Sequence, residues 1–215
     1  SLTHQDVSNE AIPFMGCATL DVGLIRAKVG RLSVAGELGY EINCAAAEHI
    51  TLRDMLMEAG AEHGLREYGY YALNSLRLEK SFGIWSSEFT QGYTPGMTGM
   101  DRWIAFEKGE FIGREAALAE REANSAPQKL VTLDVDAEDA DASGFEPVWK
   151  DGKRVGLITS GGYGHTVKKS LAMALLDPAL TDPGTELTTH IVGVERAARV
   201  IDPCPHDPKG TRMRV

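Results

Sequence analysis

VGLITSGGYGHTVKKSLAMALLDP, Val155 to Pro178, is the stretch whose reading decides the fold. Its glycines suggest a phosphate cradle, but no glycine stands five residues before a Gly-Lys-Ser/Thr group and no helix opens after them. Strand-like apolar runs lie on both sides, so a tight hairpin is the simpler reading. Working outward, LVTLDVD, KRVGLITSG, KSLAMALL, TELTTHIVG and RAARVID are short runs parted by Gly, Pro and Asp turns. That spacing suits a small antiparallel barrel or sandwich, and a barrel is expected over residues 125–215. Ahead of it, Ser125, Ala126 and Pro127 break a helical pattern and mark a boundary, with residues 1–124 forming a mixed unit. There, Arg26 to Asn43 predicts a hairpin turning at Gly36, with Leu32 and Val34 alternating with Ser33 and Ala35. Ile50, Leu52, Met55 and Leu56 recur at helical spacing between Ala46 and Glu62, with Gly60 and Gly64 as stop signals. A second helix is expected between Gly69 and Gly83, a loop over Ser86 to Gly99, and a short helix from about Gly113. The fold class expected is therefore α+β, a mixed domain followed by a small antiparallel β-barrel.

Composition narrows the function. The net charge of −9 opposes a phosphate backbone, and apart from Lys168 and Lys169 the basic residues stand singly, which argues against a nucleic-acid partner. The longest apolar runs, such as Leu171 to Leu176, fall far short of the about 20 residues a membrane helix needs. Cys17, Cys44 and Cys204 are odd in number and lack CxxC spacing, which suits free thiols in a reducing compartment, and a cytoplasmic location is expected. The chain opens Ser1-Leu2, its first methionine is Met15, and this start reads as a boundary inside a longer protein. Cys204, His206 and Asp207 share one short segment without the partner cluster that a tetrahedral metal site needs, so no metal is expected. There is no GxSxG elbow, and the six histidines are dispersed.

What remains is GELGYEIN, Gly36 to Asn43, together with Arg77, Trp85, Tyr93 and Trp103. Read as a strand, it sends Leu38, Tyr40 and Ile42 to one face and Glu37, Gly39 and Glu41 to the other. Two carboxylates beside a glycine form a slot able to accept parallel N–H donors from a flat heterocycle such as a pterin. Trp85 and Tyr93 could wall such a ring. A solvated hairpin edge accounts for the same residues, and the chemistry alone leaves both readings open.

GELGYEI, ALNSLRLEKSFGIWSSEF, YTPGMTGMDRW, FEKGEFIGREAAL and VGLITSGGYGHTVKKSLAMALLDP, in that order, resemble the folate-binding aminomethyltransferase family of the glycine cleavage T protein. Within it, the likeness is strongest to the C-terminal region of dimethylglycine and sarcosine dehydrogenases. The resemblance implies that Glu41 grips the pterin, with Glu37, Gly39 and Tyr40 in the surrounding element and Trp85 and Trp103 near the ligand. It also implies that Arg77 and Glu79, the family's RLE, hold their helix in place. The arginine that T proteins carry on the folate helix is replaced by Leu73, and their tryptophan after the TP motif aligns near Arg102, one position before Trp103. The family's catalytic aspartate falls upstream of Ser1, so no catalytic residue is assigned within these residues, and the chain is expected to fold without catalysing. The function implied is tetrahydrofolate binding: an upstream FAD-dependent region oxidises an N-methyl amine, and the one-carbon unit is captured as 5,10-methylenetetrahydrofolate. The alternatives are an aminomethyltransferase of glycine cleavage, served by a lipoyl carrier protein, and a non-catalytic scaffold of the same fold.

Overall fold

The computed structural model describes residues 1–215. Contacts divide the chain into two compact units, Ser1–Leu73 together with Lys209–Val215, and Asn74–Pro208.

In the first unit, β1 (Cys17–Val22), β2 (Ile25–Gly30) and β3 (Glu41–Asn43) form an antiparallel sheet in that order. The hairpin lies earlier than the sequence predicts. Leu20 and Val22 alternate inward on β1, and Ile25, Ala27 and Val29 do so on β2. The two-residue turn between Val22 and Ile25 has glycine first, Gly23 at φ 59°, as the right-handed twist of the strands favours. The run from Ser33 to Gly39, expected to pair around Gly36, forms no strand. α1 (His49–Gly60) follows a 3₁₀ turn at Ala46–Glu48 and runs into another at Ala61–His63, which stops where Gly64 turns left-handed at φ 71°. Leu52 is buried against the sheet with Met55 and Leu56 beside it, whereas Ile50, expected on the same line, is exposed. Arg53 of α1 holds both oxygens of Glu67, at 2.7 and 2.9 Å. This hydrogen bonding, aided by the guanidinium charge, keeps the Glu67 carboxyl below its ordinary range.

The division between the units falls inside α2 (Tyr70–Glu79). The second unit continues through α3 (Pro95–Thr98) and α4 (Arg114–Ala123) into the barrel. α3 lies inside the segment read as loop; Pro95 opens it, and Thr94 caps it by accepting the Met97 N–H at 3.2 Å. The barrel strands are β4 (Lys129–Val135), β5 (Pro147–Lys150), β6 (Lys153–Gly164), β7 (Lys169–Leu176), β8 (Glu186–Ile191) and β9 (Val194–Ile201). They close in the order β4-β7-β6-β5-β8-β9, all antiparallel, as the spacing of the short runs predicts. Side chains fill the interior, among them Leu133, Val148, Ile158, Leu187 and Val200. The unbroken apolar run of β7 has a physical cause in two covered faces. Ala172, Ala174 and Leu176 face the barrel core; Leu171 and Met173 meet Leu78 of α2, and Leu175 meets Met97 of α3.

The β8–β9 hairpin closes through Val192 and Gly193, at φ 49° and 79°. Such a turn suits Asn-Gly, because a β-branched residue resists the left-handed region. Val192 is 88% exposed, so its side chain adds little packing to offset that strain. Val192→Asn should raise stability by about 1 kcal/mol in urea denaturation; no gain would show that the turn holds its shape without strain.

Candidate functional site

The GELGYE segment adopts a bent loop in place of the strand that the alternation predicts. Gly36 turns at φ 84° and donates its N–H to Ser33 Oγ at 3.0 Å. The chain then doubles back, and a Cβ on Gly39 would lie 3.0 Å from the Leu32 carbonyl oxygen, so glycine here answers a close backbone approach. Consequently Glu37 and Glu41 do not share one strand face. Leu38 and Tyr40, which the alternation groups on one face with Ile42, are exposed, and only Ile42 of that trio packs on the core cluster.

Each residue of the loop has a distinct setting. Both carboxylate oxygens of Glu37 lie 2.8 Å from Arg212 Nε, a partner 175 positions away. Glu37, Leu38, Thr211, Arg212 and Val215 line a cavity of about 420 Å³. Tyr40 donates its hydroxyl to the Val7 carbonyl at 2.7 Å, and the buried Arg31 guanidinium stands 5.8 Å from its ring centre. Arg31 also donates to the Val215 carbonyl oxygen at 2.5 Å. Glu41 is the first residue of β3, an outer strand of its sheet, and is exposed. Its cross-strand neighbour is Gly30, so no side chain stands directly opposite. The two units share out the predicted residues: Glu37, Gly39, Tyr40 and Glu41 lie in the first, Trp85 and Trp103 in the second. Trp85 is 83% exposed and meets Phe89 edge to face at 5.9 Å; Trp103 is 66% exposed, with the Arg102 guanidinium 5.8 Å from its ring. Tyr93 packs beside Met97 and Leu175.

In the second unit the LRLEKS motif fastens α2 to the barrel through charged groups, of which sequence reading gives Arg77 and Glu79 the task of holding the helix and leaves Lys80 unassigned. Arg77, Glu79 and Lys80 are all buried. Arg77 donates to Asn74 Oδ1 at 2.9 and 2.7 Å, to the Phe82 carbonyl at 3.1 Å, and meets Glu88 at 3.5 Å. Glu79 accepts from the amides of Thr166 and Val167, at 2.5 and 3.0 Å, at the tip of the β6–β7 hairpin. Lys80 donates to the carbonyls of His206 and Asp207 at 2.9 and 2.6 Å. The glycines of SGGYG give α2 room: Asn74 donates to the Gly161 carbonyl at 3.0 Å and Ser75 to that of Tyr163 at 2.7 Å, while a Cβ on Gly164 would lie 3.1 Å from Glu79 Cγ. No group of three or more His, Cys, Asp and Glu side chains could hold a metal, and no helix is long and apolar enough to cross a membrane.

Comparison with known proteins gives the lineage of this arrangement. The model of the GCVT N-terminal domain matches residues 1–108, and that of the glycine cleavage T-protein C-terminal barrel domain matches residues 128–207. Mitochondrial dimethylglycine dehydrogenase of Mus musculus is 35% identical over 201 residues, covering 93% of this chain and 23% of its own length. An aminomethyltransferase of Halalkalibacterium halodurans is 30% identical over 182 residues, covering 85% of this chain and 49% of its own. The crystal structure of the glycine cleavage system aminomethyltransferase T from Bartonella henselae superposes with a TM-score of 0.80 at 24% identity, over 94% of this chain and 54% of that one. The chain thus spans 23% of the dehydrogenase and 49% of the aminomethyltransferase.

Proposed function

From the premise that the chain belongs to the glycine cleavage T-protein family of aminomethyltransferases, we propose that it binds tetrahydrofolate as part of a dimethylglycine or sarcosine dehydrogenase-like enzyme. The one observation that carries the reading is Glu41, an exposed carboxylate on an outer strand whose cross-strand neighbour is Gly30. The gap opposite leaves a flat ring free to approach, and the carboxylate can accept two parallel N–H donors from its edge. The Glu37–Arg212 pair holds the neighbouring loop, and Tyr40 anchors it to Val7. Bound there, tetrahydrofolate supplies the nitrogens that take up a one-carbon unit, and this chain's residues bind and orient it. The N-methyl oxidation belongs to an FAD-dependent region upstream, in keeping with the dehydrogenase relatives extending well beyond the matched part.

Glu41→Gln should weaken tetrahydrofolate binding by about 1–3 kcal/mol in isothermal titration, because a charged acceptor of two donors becomes a neutral amide that presents a donor of its own. Unchanged affinity with an intact fold would remove Glu41 from the site. A glycine-cleavage aminomethyltransferase is the second reading, favoured by the similarity to the Halalkalibacterium halodurans protein. Turnover of an aminomethyl group carried on a lipoyl arm would select it.

A further inference from the structure

Residues Lys209–Val215 belong to the first unit, although the barrel precedes them in sequence. They form neither helix nor strand, so side chains must hold them. The segment first closes on itself: Arg214 Nη1 donates to the Lys209 and Gly210 carbonyls at 2.6 and 2.9 Å, and the Arg214 N–H to that of Thr211 at 3.0 Å. Met213 is buried, and the Arg214 guanidinium stands 5.0 Å from the Phe14 ring centre.

Two links run from this tail to the GELGYE loop. Arg212 Nε lies 2.8 Å from both oxygens of Glu37. The Val215 carbonyl accepts from Arg31 Nη2 at 2.5 Å, and the same guanidinium faces the Tyr40 ring at 5.8 Å. Arg31 is 2% exposed and its Nε has no partner, so this buried cation can ill spare the Val215 carbonyl. Both segments line the cavity of about 420 Å³, Glu37 and Leu38 from the loop, Thr211, Arg212 and Val215 from the tail. Across such a space close packing cannot fix the loop, and directional polar contacts do so instead. The loop passes directly into β3, where Tyr40 precedes Glu41. β3 is three residues long and pairs on one side only, with Lys28, Val29 and Gly30 of β2, so its own ladder gives the Glu41 carboxylate little stiffness.

We propose that Arg212 is a positioning residue: through Glu37, the tail Lys209–Val215 straps down the loop that aims Glu41 at the edge of a flat heterocycle. The assignment rests on the tetrahydrofolate reading for the identity of that ligand, and every residue in it lies in the first unit. An exposed ion pair contributes little to global stability, so Arg212→Gln leaves the fold intact and its effect falls on the loop.

Native-state hydrogen exchange reads the strap without any ligand. Arg212→Gln, or Glu37→Gln from the other side of the pair, should speed exchange of the Gly36 amide, which donates to Ser33 Oγ, about fivefold, while the β1–β2 ladder keeps its protection. Unchanged exchange at Gly36 overturns the proposal. In tetrahydrofolate titrations, each of the two variants should weaken binding roughly fivefold, and the charge exchange Glu37→Arg with Arg212→Glu should restore most of the loss. In a Glu41→Gln background, Arg212→Gln should cost nothing further, because it acts through the aim of that carboxylate. An equal loss with and without Glu41 would mean that Arg212 touches the ligand itself or that the whole unit is weakened, and either overturns the proposal. Should the unaltered protein bind no tetrahydrofolate, the folate reading fails, while the exchange rates still decide whether Arg212 holds the loop.

Discussion

Glu88→Ala is expected to destabilise the second unit by about 3–5 kcal/mol, because removing one partner of a buried ion pair leaves the other charge uncompensated. Three more groups lose their acceptor at the same time: the Thr159 and Ser160 hydroxyls and the Ile84 N–H. Arg77 retains Asn74 Oδ1 and the Phe82 carbonyl, which solvate part of its charge and place the loss toward the lower end of that range. Thr159 can also turn to the Met173 carbonyl at 3.1 Å. Urea denaturation followed by Trp149 emission, a β5 reporter, measures the loss. A change under about 1 kcal/mol, the usual worth of an exposed pair, would mean that water enters the site and that the network does not hold the Ile84 N–H.

That network shows where sequence reading stops. The barrel was legible because its signals are local: each strand is a short apolar run between turn residues, and three of its pairings, β5 with β6, β6 with β7 and β8 with β9, join strands consecutive in the chain. The helices were legible for the same reason, with Leu52, Met55 and Leu56 spaced for α1. The GELGYE segment misled because alternation of Leu38, Tyr40 and Ile42 is what a strand would show, while the bend depends on Gly39 meeting a backbone carbonyl seven residues back. The hairpin expected around Gly36 forms around Gly23, where Leu20, Val22, Ile25, Ala27 and Val29 alternate more strictly. The long-range partners, Glu37 with Arg212 and Glu88 with Thr159 and Ser160, carry no local pattern at all. For Glu88 one signal was available: three charged residues, Arg77 and Glu79 in α2 and Lys80 just past its end, lie close ahead of it, and charges buried together must be satisfied together. The role proposed for Glu41 rests on resemblance, and no local pattern shows that its cross-strand neighbour is Gly30.

Gly156→Ala should cost about 3 kcal/mol, near the top of the range for forcing extra volume into a packed core. Gly156 lies on β6 between β5 and β7, opposite Val148 on one side and Leu176 on the other. An added methyl would stand 2.3 Å from the Leu175 carbonyl oxygen and 2.5 Å from Leu176 Cδ2. The leucine methyl could rotate aside into a crowded interior, but the carbonyl is fixed within the β6–β7 ladder and can yield only if the two strands part. In a closed barrel that movement is passed to every neighbouring pair, since no free edge exists to absorb it. Gly152→Ala, in the β5–β6 turn of the same hairpin, isolates the steric part: it meets nothing within 4 Å, and its only penalty is the left-handed φ of 73°, about 1–2 kcal/mol. Denaturation of the two variants under one set of conditions should rank Gly156→Ala as the worse. Equal losses would show that the seam dilates freely, and the tight approach of β6 to β7 would then not be what keeps the barrel closed.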